Sequence, residues 1–133
     1  MNSRQKGKRG ELEAAAALRA AGYEARRGQQ FKGTADSPDV ICSIPYHVEV
    51  KLRENLNLHR AMDQAVLEAP GNKTPVVYHR KNRTLPLVTM RFSDWIELVR
   101  AVYPPMEYGR EQEQSGEAIR CPEQVSGGNQ TCP

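Results

Sequence analysis

A glutamate and a lysine lie two positions apart in an apolar segment, Tyr46 to Leu52, and their side chains could carry metal or acid–base chemistry. The segment is rich in β-branched residues, which favours a strand. Because side chains alternate between the two faces of a strand, Glu49 and Lys51 point to the same side, and His47 shares that face without an evident role. A carboxylate and an ammonium group are therefore held side by side.

A second carboxylate reaches the same face if the preceding segment pairs with this strand. Asp39 to Cys42 is also typical of a strand, and Ser43 to Pro45 has the length of a hairpin loop. A three-residue loop sets Asp39 directly opposite Glu49, where paired Cβ atoms lie about 4.5–5.5 Å apart. Two carboxylates at this separation repel each other unless a cation lies between them or one of them holds a proton.

A divalent metal ion would relieve this repulsion. Carboxylate oxygens without thiolates or paired imidazoles favour Mg²⁺ or Mn²⁺ over zinc. An ion held by few protein groups keeps bound waters, activates one of them as a nucleophile and neutralises charge that develops on a phosphate. Lys51 would orient the attacking water or stabilise the developing oxyanion. The residue types therefore predict metal-assisted cleavage of a phosphate ester.

A third carboxylate leads the apolar face of the first predicted helix. The segment from Gly10 to Ala21 is rich in strong helix formers, and Gly22 is a typical C-cap. Glu11, Ala15 and Leu18 follow the spacing of a packed helical face. A glutamate in a first turn is also favoured by the helix dipole alone, so helix phase by itself leaves both interpretations open for Glu11.

The rest of the chain alternates between strand and helix patterns, and Phe92 and Trp95 are expected in the core. The patterns predict a short strand within Tyr23 to Arg27, a helix from Leu56 to Ala69, strands at Pro75 to His79 and Leu85 to Met90, and a helix from Asp94 to about Val102 capped by Ser93. This order predicts an α/β or α+β fold, with a central mixed sheet of about four to five strands flanked by helices.

Charge divides the chain into two parts. Residues 1–103 carry 17 Lys and Arg against 11 Asp and Glu, a net charge of +6, whereas residues 104–133 carry 2 against 5, a net charge of −3. A basic domain favours a polyanion as partner. The Gly, Gln, Glu and Ser content of residues 104–133 predicts a disordered acidic tail. We therefore expect one domain, residues 1–103, followed by a tail.

Composition also excludes several classes of protein. The mean hydropathy is −0.69, and no apolar run approaches the roughly 18 residues of a membrane span. The charged N-terminus lacks the apolar stretch of a secretory signal, which predicts a cytoplasmic location. The cysteines, Cys42, Cys121 and Cys132, form no CxxC pair, so neither a disulfide framework nor a zinc site is expected.

The chain resembles the PD-(D/E)XK nuclease superfamily in three motifs, which in chain order are Gly7-x-x-x-Glu11, Pro38-Asp39-Val40 and Glu49-Val50-Lys51. Within that superfamily, residues 4–100 are most similar to small Holliday junction resolvases of the archaeal and phage type. The resemblance implies a restriction-endonuclease-like core and a Mg²⁺- or Mn²⁺-dependent DNA endonuclease that hydrolyses phosphodiester bonds. It also implies branched DNA as the favoured substrate, in DNA recombination, and a homodimer.

The resemblance assigns roles to single residues. It implies metal binding, directly or through water, by Glu11, Asp39, Glu49 and the backbone carbonyl of Val50. It implies catalysis by these carboxylates, by Lys51 and by a polar residue of the following helix, for which Gln64 is the candidate and Asp63 the alternative. Asp36 competes with Asp39 for the second motif, and the pairing of Asp39 with Glu49 favours Asp39.

Basic residues near the site are candidates for contacts with DNA phosphates. They form three groups: Lys6, Lys8 and Arg9; Arg26, Arg27 and Lys32; and Arg80, Lys81 and Arg83. The first group immediately precedes Glu11 and is the strongest candidate. A solvated surface role is the alternative for each of the others.

Two other functions fit the same residues. A restriction-like, flap or single-strand nuclease would keep the fold and the chemistry but act on another DNA. A non-catalytic DNA-binding module would keep the scaffold alone. Mg²⁺-dependent cleavage that disappears when Glu49 is replaced by alanine distinguishes the nucleases from the module.

Overall fold

The computed structural model describes residues 2–28 and 38–106 of the chain. In chain order, the elements within these ranges are α1 (Ser3–Ala20), β1 (Ala25–Arg27), β2 (Val40–Cys42), β3 (Tyr46–Leu52), α2 (Leu58–Glu68), β4 (Thr74–Arg80), β5 (Leu87–Met90) and α3 (Phe92–Val102). Each helix and strand expected from the sequence is present. The largest difference in bounds lies at the start of α1.

The strands form a single sheet in the order β1-β2-β3-β4-β5. β3 and β4 run parallel, with Glu49 beside Val77, whereas the other neighbouring strands are antiparallel. A parallel pair needs a crossover connection, which α2 provides here. The fold is therefore α+β with a mixed five-stranded sheet flanked by helices, which confirms the predicted class. The restriction-endonuclease-like form of this core stays a prediction.

Helix α1 begins at Ser3, so the predicted start at Gly10 is wrong. The side chain of Asn2 accepts a hydrogen bond from the backbone N–H of Gln5 at 2.9 Å and caps the helix. The basic residues after this cap, which oppose the dipole in a first turn, are helical nonetheless. Glu11 consequently lies in the helix interior, where the dipole has little effect and does not explain a glutamate.

Two glycines determine where α1 ends and how closely it approaches the sheet. Gly22 has a φ of +99°, a left-handed conformation that suits glycine, and it ends the helix as predicted. A Cβ atom added to Gly10 would lie 2.8 Å from Val50 Cγ1 and 2.8 Å from Leu52 Cγ. The missing side chain therefore permits a close contact of α1 with β3, which brings the adjacent Glu11 to the sheet.

Helices cover both faces of the sheet. On one face, Ala15 of α1 is fully buried in a cluster with Val50. On the other face, Ala65 of α2 is fully buried against Val77. Because side chains alternate along β3, Glu49 lies on the face that α2 covers, whereas the neighbouring valines face α1. The predicted polar face of β3 is thus enclosed by a helix.

Helix α3 differs from its prediction in two ways. It begins at Phe92, so Ser93 lies inside the helix and is not its cap. None of its residues is buried: Phe92 is 74% exposed and Trp95 is 47% exposed, so the expectation that they belong to the core is wrong. The rings of Phe92 and Trp95 contact each other, with centroids 5.6 Å apart.

The chain divides into two compact units, Met1–Trp95 and Ile96–Pro133. The first unit contains the sheet, α1 and α2. The structure describes the second unit only as far as residue 106, so most of the predicted tail lies outside the described residues, as do Lys32 and Asp36. The domain of residues 1–103 and the cytoplasmic location stay predictions. Within the described ranges, no helix is both long enough and apolar enough to cross a membrane.

Candidate active site

The hairpin of β2 and β3 brings Asp39 to the strand that carries Glu49. Val40 pairs with Val48, and this confirms the predicted register. Continued by one residue, the register sets Asp39 opposite Glu49. Asp39 itself precedes β2, and its Oδ2 atom accepts a hydrogen bond from the backbone N–H of Val50 at 2.8 Å. One carboxylate oxygen of Asp39 is therefore fixed to β3 next to Glu49.

A cleft of about 630 Å³ opens between α1, the end of β3 and α2. The five residues expected to be catalytic all line this cleft: Glu11, Asp39, Glu49, Lys51 and Gln64. Val50, whose carbonyl the resemblance assigns to a metal ion, lines it as well. Asp63, the alternative to Gln64, is exposed and is not among the lining residues. The structure thus gathers the expected set in one place.

The environment of Glu49 disfavours its charged form. Glu49 is only 3% exposed, and burial together with the charge of Asp39 raises its pKa to about 7. Lys51 opposes this rise, because its Nζ atom lies 3.2 Å from Glu49 Oε1. Burial also raises the pKa of Asp39. The neighbouring residues therefore do not fully compensate the negative charges of these two carboxylates, and a bound cation would.

Hydrogen bonds connect Lys51 to α2. The Nζ atom of Lys51 donates to Gln64 Oε1 at 3.0 Å, and Gln64 Nε2 donates to Glu68 Oε1 at 3.2 Å. With the contact between Lys51 and Glu49, these bonds form a continuous polar chain from β3 to α2. Gln64 therefore positions a cation and a carboxylate of the cleft at once.

Glu11 enters the cleft from α1 and is 7% exposed. Its carboxylate accepts a hydrogen bond from the Nε atom of Arg27 in β1. Burial, and to a lesser extent the charge of Asp39, raises the pKa of Glu11, while Arg27 lowers it. The guanidinium of Arg27, expected to contact DNA, is thus already paired with a residue of the cleft.

Glu68 lines the cleft and His47 lies beside it, although no sequence pattern indicated a role for either residue. One ligand atom from each of His47, Glu49 and Glu68 lies within 4.8 Å of the others, so the three residues could hold a metal ion. His47 is 4% exposed, whereas Glu68 is exposed to solvent. Strand alternation had placed His47 on the Glu49 face, and Glu68 lies one helical turn after Gln64. These two relationships were the available signals.

Most of the candidate phosphate-binding residues are accessible. Lys6 lines the cleft, and the exposed residues of this set are Lys8, Arg9, Arg26, Lys81 and Arg83. Lys6, Lys8 and Arg9 lie on α1 within the five residues that precede Glu11, and of these three Lys6 lines the cleft. Lys81 and Arg83 lie in the turn between β4 and β5, and Lys32 is outside the described residues.

Arg80 differs from the other basic candidates, because its guanidinium binds Glu13 of α1. Nε donates to Glu13 Oε1 at 3.0 Å and Nη2 donates to Oε2 at 2.9 Å, while the side chain of Arg80 is 9% exposed. Bidentate pairs of this kind are geometrically specific. The position of Arg80 therefore favours a structural contact between β4 and α1 over a contact with DNA.

Comparisons of the chain with protein-family models, with curated proteins and with solved structures found no match. Membership of the PD-(D/E)XK superfamily therefore stays a prediction from three motifs. The residues of the cleft and their geometry are therefore the basis for a proposed function.

Proposed function

We propose that this protein is a metal-dependent DNA endonuclease that hydrolyses phosphodiester bonds, with the Holliday junction or another branched DNA as its favoured substrate. The observation that carries the proposal is the convergence of Asp39, Glu49 and Lys51 in one open cleft. Two carboxylates that hold a metal ion and an ammonium group beside it are the parts that metal-assisted hydrolysis of a phosphate ester needs.

The donor groups of the cleft fit a hard divalent cation, Mg²⁺ or Mn²⁺. Asp39 and Glu49 offer carboxylate oxygens, Val50 offers a backbone carbonyl, and Glu11 binds directly or through water. The raised pKa values of Asp39 and Glu49 support this assignment, because a divalent ion supplies the compensation that their charged forms lack. When bound, such an ion lowers the pKa of a coordinated water and neutralises charge on a phosphate.

Lys51 acts at the reacting phosphate. Its ammonium group is held in the cleft by Glu49 and by Gln64, at 3.2 and 3.0 Å. A point charge in this position stabilises the negative charge that develops on the phosphate and orients the attacking water. Because the group is positioned before substrate binds, little reorganisation is needed during the reaction.

Helix α1 binds the DNA backbone next to the cut. Lys6 lines the cleft, and Lys8 and Arg9 are exposed on the following positions. These side chains contact phosphates without reading sequence, so they position the duplex and make binding dependent on salt. The net charge of +6 on residues 1–103 supports a polyanionic substrate.

We further propose that the protein works as a homodimer, as the resemblance to resolvases implies. Within the described part of the chain, β5 is an edge strand of the sheet, and its Leu87 and Val88 are each 61% exposed. Apolar edge strands pair readily with another chain. Sedimentation velocity should therefore give a dimer that Val88→Lys weakens. A wild-type monomer at all concentrations would remove the dimer and leave the nuclease chemistry in place.

The decisive experiment offers purified protein a four-way junction, a flap, a duplex and single-stranded DNA, with Mg²⁺, with Mn²⁺ and with chelator. We expect metal-dependent cleavage, strongest on the junction. Glu49→Ala and Lys51→Ala should each lower the cleavage rate by about 100-fold or more. Glu97→Ala, which changes an exposed glutamate of α3, is the matched control and should cleave normally.

The outcomes separate the three candidate functions. Cleavage of no substrate with either metal would contradict the nuclease proposal and favour a non-catalytic DNA-binding module. Equal cleavage of all substrates would contradict the proposed junction preference and would still support metal-dependent hydrolysis of DNA. A preference for flap, duplex or single-stranded DNA would identify the corresponding nuclease instead.

A further inference from the structure

His47 is buried on the face of β3 that α2 covers, two residues before Glu49. It is 4% exposed, and its Nε2 atom has no hydrogen-bond partner within residues 2–28 and 38–106. A buried polar atom without a partner costs free energy, because it has lost its hydrogen bonds to water and forms none within the protein. The imidazole is therefore a group that a bound ligand would satisfy.

Two carboxylates meet this imidazole from different elements. Glu49 extends from β3 and Glu68 from the last turn of α2, and one ligand atom from each lies within 4.8 Å of the others and of a His47 nitrogen. Neither carboxylate accepts a hydrogen bond from His47 Nε2. The three groups are thus close together without bonding one another, as ligands of a common ion would be before the ion binds.

Hydrogen bonds already hold part of this cluster in place. Gln64 donates to Glu68 Oε1 at 3.2 Å, and Lys51 contacts Glu49 Oε1 at 3.2 Å. Each contact involves one carboxylate oxygen and leaves the other for a ligand. Because Glu68 is exposed, an ion can reach the cluster from solvent although His47 and Glu49 are buried. Secondary contacts of this kind orient metal ligands.

We propose that His47, Glu49 and Glu68 bind a divalent transition-metal ion, at a position that shares Glu49 with the cation of the proposed nuclease site. An imidazole nitrogen beside two carboxylates favours ions such as Mn²⁺ or Zn²⁺ over Mg²⁺, which prefers oxygen ligands alone. Three protein ligands leave coordination positions open for water. The metal site is argued from its own geometry, and only its link to DNA cleavage rests on the proposed function.

The test measures Mn²⁺ binding to the full chain without DNA, so that it does not depend on nuclease activity. After removal of metal by a chelator, electron paramagnetic resonance of free Mn²⁺ gives the number of ions bound and their affinities. We expect two ions for the wild type. Glu68→Gln and His47→Gln should each weaken one of them by about 10–100-fold or more. Zn²⁺ should displace that ion more readily than Mg²⁺ does.

Matched controls keep the test specific. His59→Gln and Glu97→Gln change an exposed histidine and an exposed glutamate outside the cleft, and both should bind Mn²⁺ as the wild type does. Asp39→Asn should weaken the other ion and leave the one at His47. Because His47 is buried and its replacement can impair folding, the exposed Glu68 carries the decisive variant, with circular dichroism as the check on folding.

Three results decide the inference. Unchanged Mn²⁺ number and affinity in Glu68→Gln, with a folded protein, would overturn it. Two ions in the wild type and one in Glu68→Gln support it. A single ion that depends on Glu68 but not on Asp39 also supports it, and at the same time contradicts the metal ligands given in the proposed function.

Discussion

The Oε1 atom of Gln64 accepts a hydrogen bond from the ammonium group of Lys51 at 3.0 Å, so a side chain of α2 holds the cation that β3 contributes to the cleft. The same amide donates to Glu68 at 3.2 Å. The neighbouring Asp63 is exposed and makes no contact of this kind with the cleft residues described. Of these two residues, between which the sequence left the choice open, Gln64 is therefore the one that contacts the cleft.

Replacing Gln64 by leucine should release Lys51 and Glu68 from this arrangement. We expect kcat for DNA cleavage to fall by about 10–100-fold, as for other residues that orient catalytic groups, with little change in KM. Asp63→Ala is the control and should leave both constants unchanged. Single-turnover and steady-state cleavage assays provide the measurement. An equal loss in the Asp63 variant would show that the effect is a general one on α2.

The pKa of Glu49 predicts how stability depends on pH in the absence of metal. Its folded-state pKa of about 7 lies above the ordinary value of 4.5. Below pH 4.5 Glu49 is protonated in both the folded and the unfolded protein, so the folded state does not hold a buried negative charge. As the pH rises through about 7, the buried Glu49 becomes charged and the protein loses stability. Glu49→Gln carries no such charge. We expect it to exceed the wild type by about 1–3 kcal/mol in free energy of unfolding at pH 8.

Denaturant unfolding at pH 5, 6.5 and 8 with chelator present tests this expectation, and the difference should be smallest at pH 5. Mg²⁺ or Mn²⁺ should stabilise the wild type at pH 8 more than the Gln variant, by mass action. A difference that is constant across these pH values would contradict the prediction. Glu97→Gln, at an exposed site, should show no pH-dependent difference.

Gly10 and Gly7 offer a matched pair on one helix. Replacing either glycine by alanine raises the intrinsic helix propensity of α1 by the same amount. At Gly10 the new methyl would meet Val50 and Leu52 of β3 at 2.8 Å, whereas at Gly7 it has no neighbour within 4 Å. We therefore expect Gly10→Ala to be less stable than Gly7→Ala by about 1–3 kcal/mol, the usual cost of overpacking. Equal free energies of unfolding would mean that α1 lies farther from the sheet.

Alanine variants of Arg80 and Lys81 should affect different properties of the protein, stability for Arg80 and DNA binding for Lys81. Arg80→Ala removes the pair with Glu13 and should lower the free energy of unfolding by about 1–3 kcal/mol, because hydrogen bonds to a charged group are lost. The exposed Lys81 should instead contribute to DNA binding. Lys81→Ala is expected to leave stability within about 0.5 kcal/mol and to reduce the salt dependence of binding by about one ion. The reverse pattern would contradict both assignments.

Local backbone geometry explains why part of the site could be predicted. The alternation of side chains along β3 places Glu49 and Lys51 on one face whatever surrounds the strand. A three-residue loop sets the hairpin register, and the observed pairing of Val40 with Val48 follows it. Helix start signals were less reliable, since the Asn2 cap outweighed the unfavourable basic residues of the first turn.

The sequence by itself predicted an α/β or α+β fold with a mixed sheet of about four to five strands, the face that Glu49 and Lys51 share and the register that sets Asp39 opposite Glu49, because each depends on periodicity or loop length. Only the tertiary structure decided that Glu68 joins His47 and Glu49, and that Arg27 and Arg80 are paired with glutamates. These contacts join different elements, which are consecutive in the chain for Glu68 and Arg27 and lie 67 residues apart for Arg80 and Glu13. Their distances depend on how α1 and α2 pack on the sheet, which no local pattern specifies.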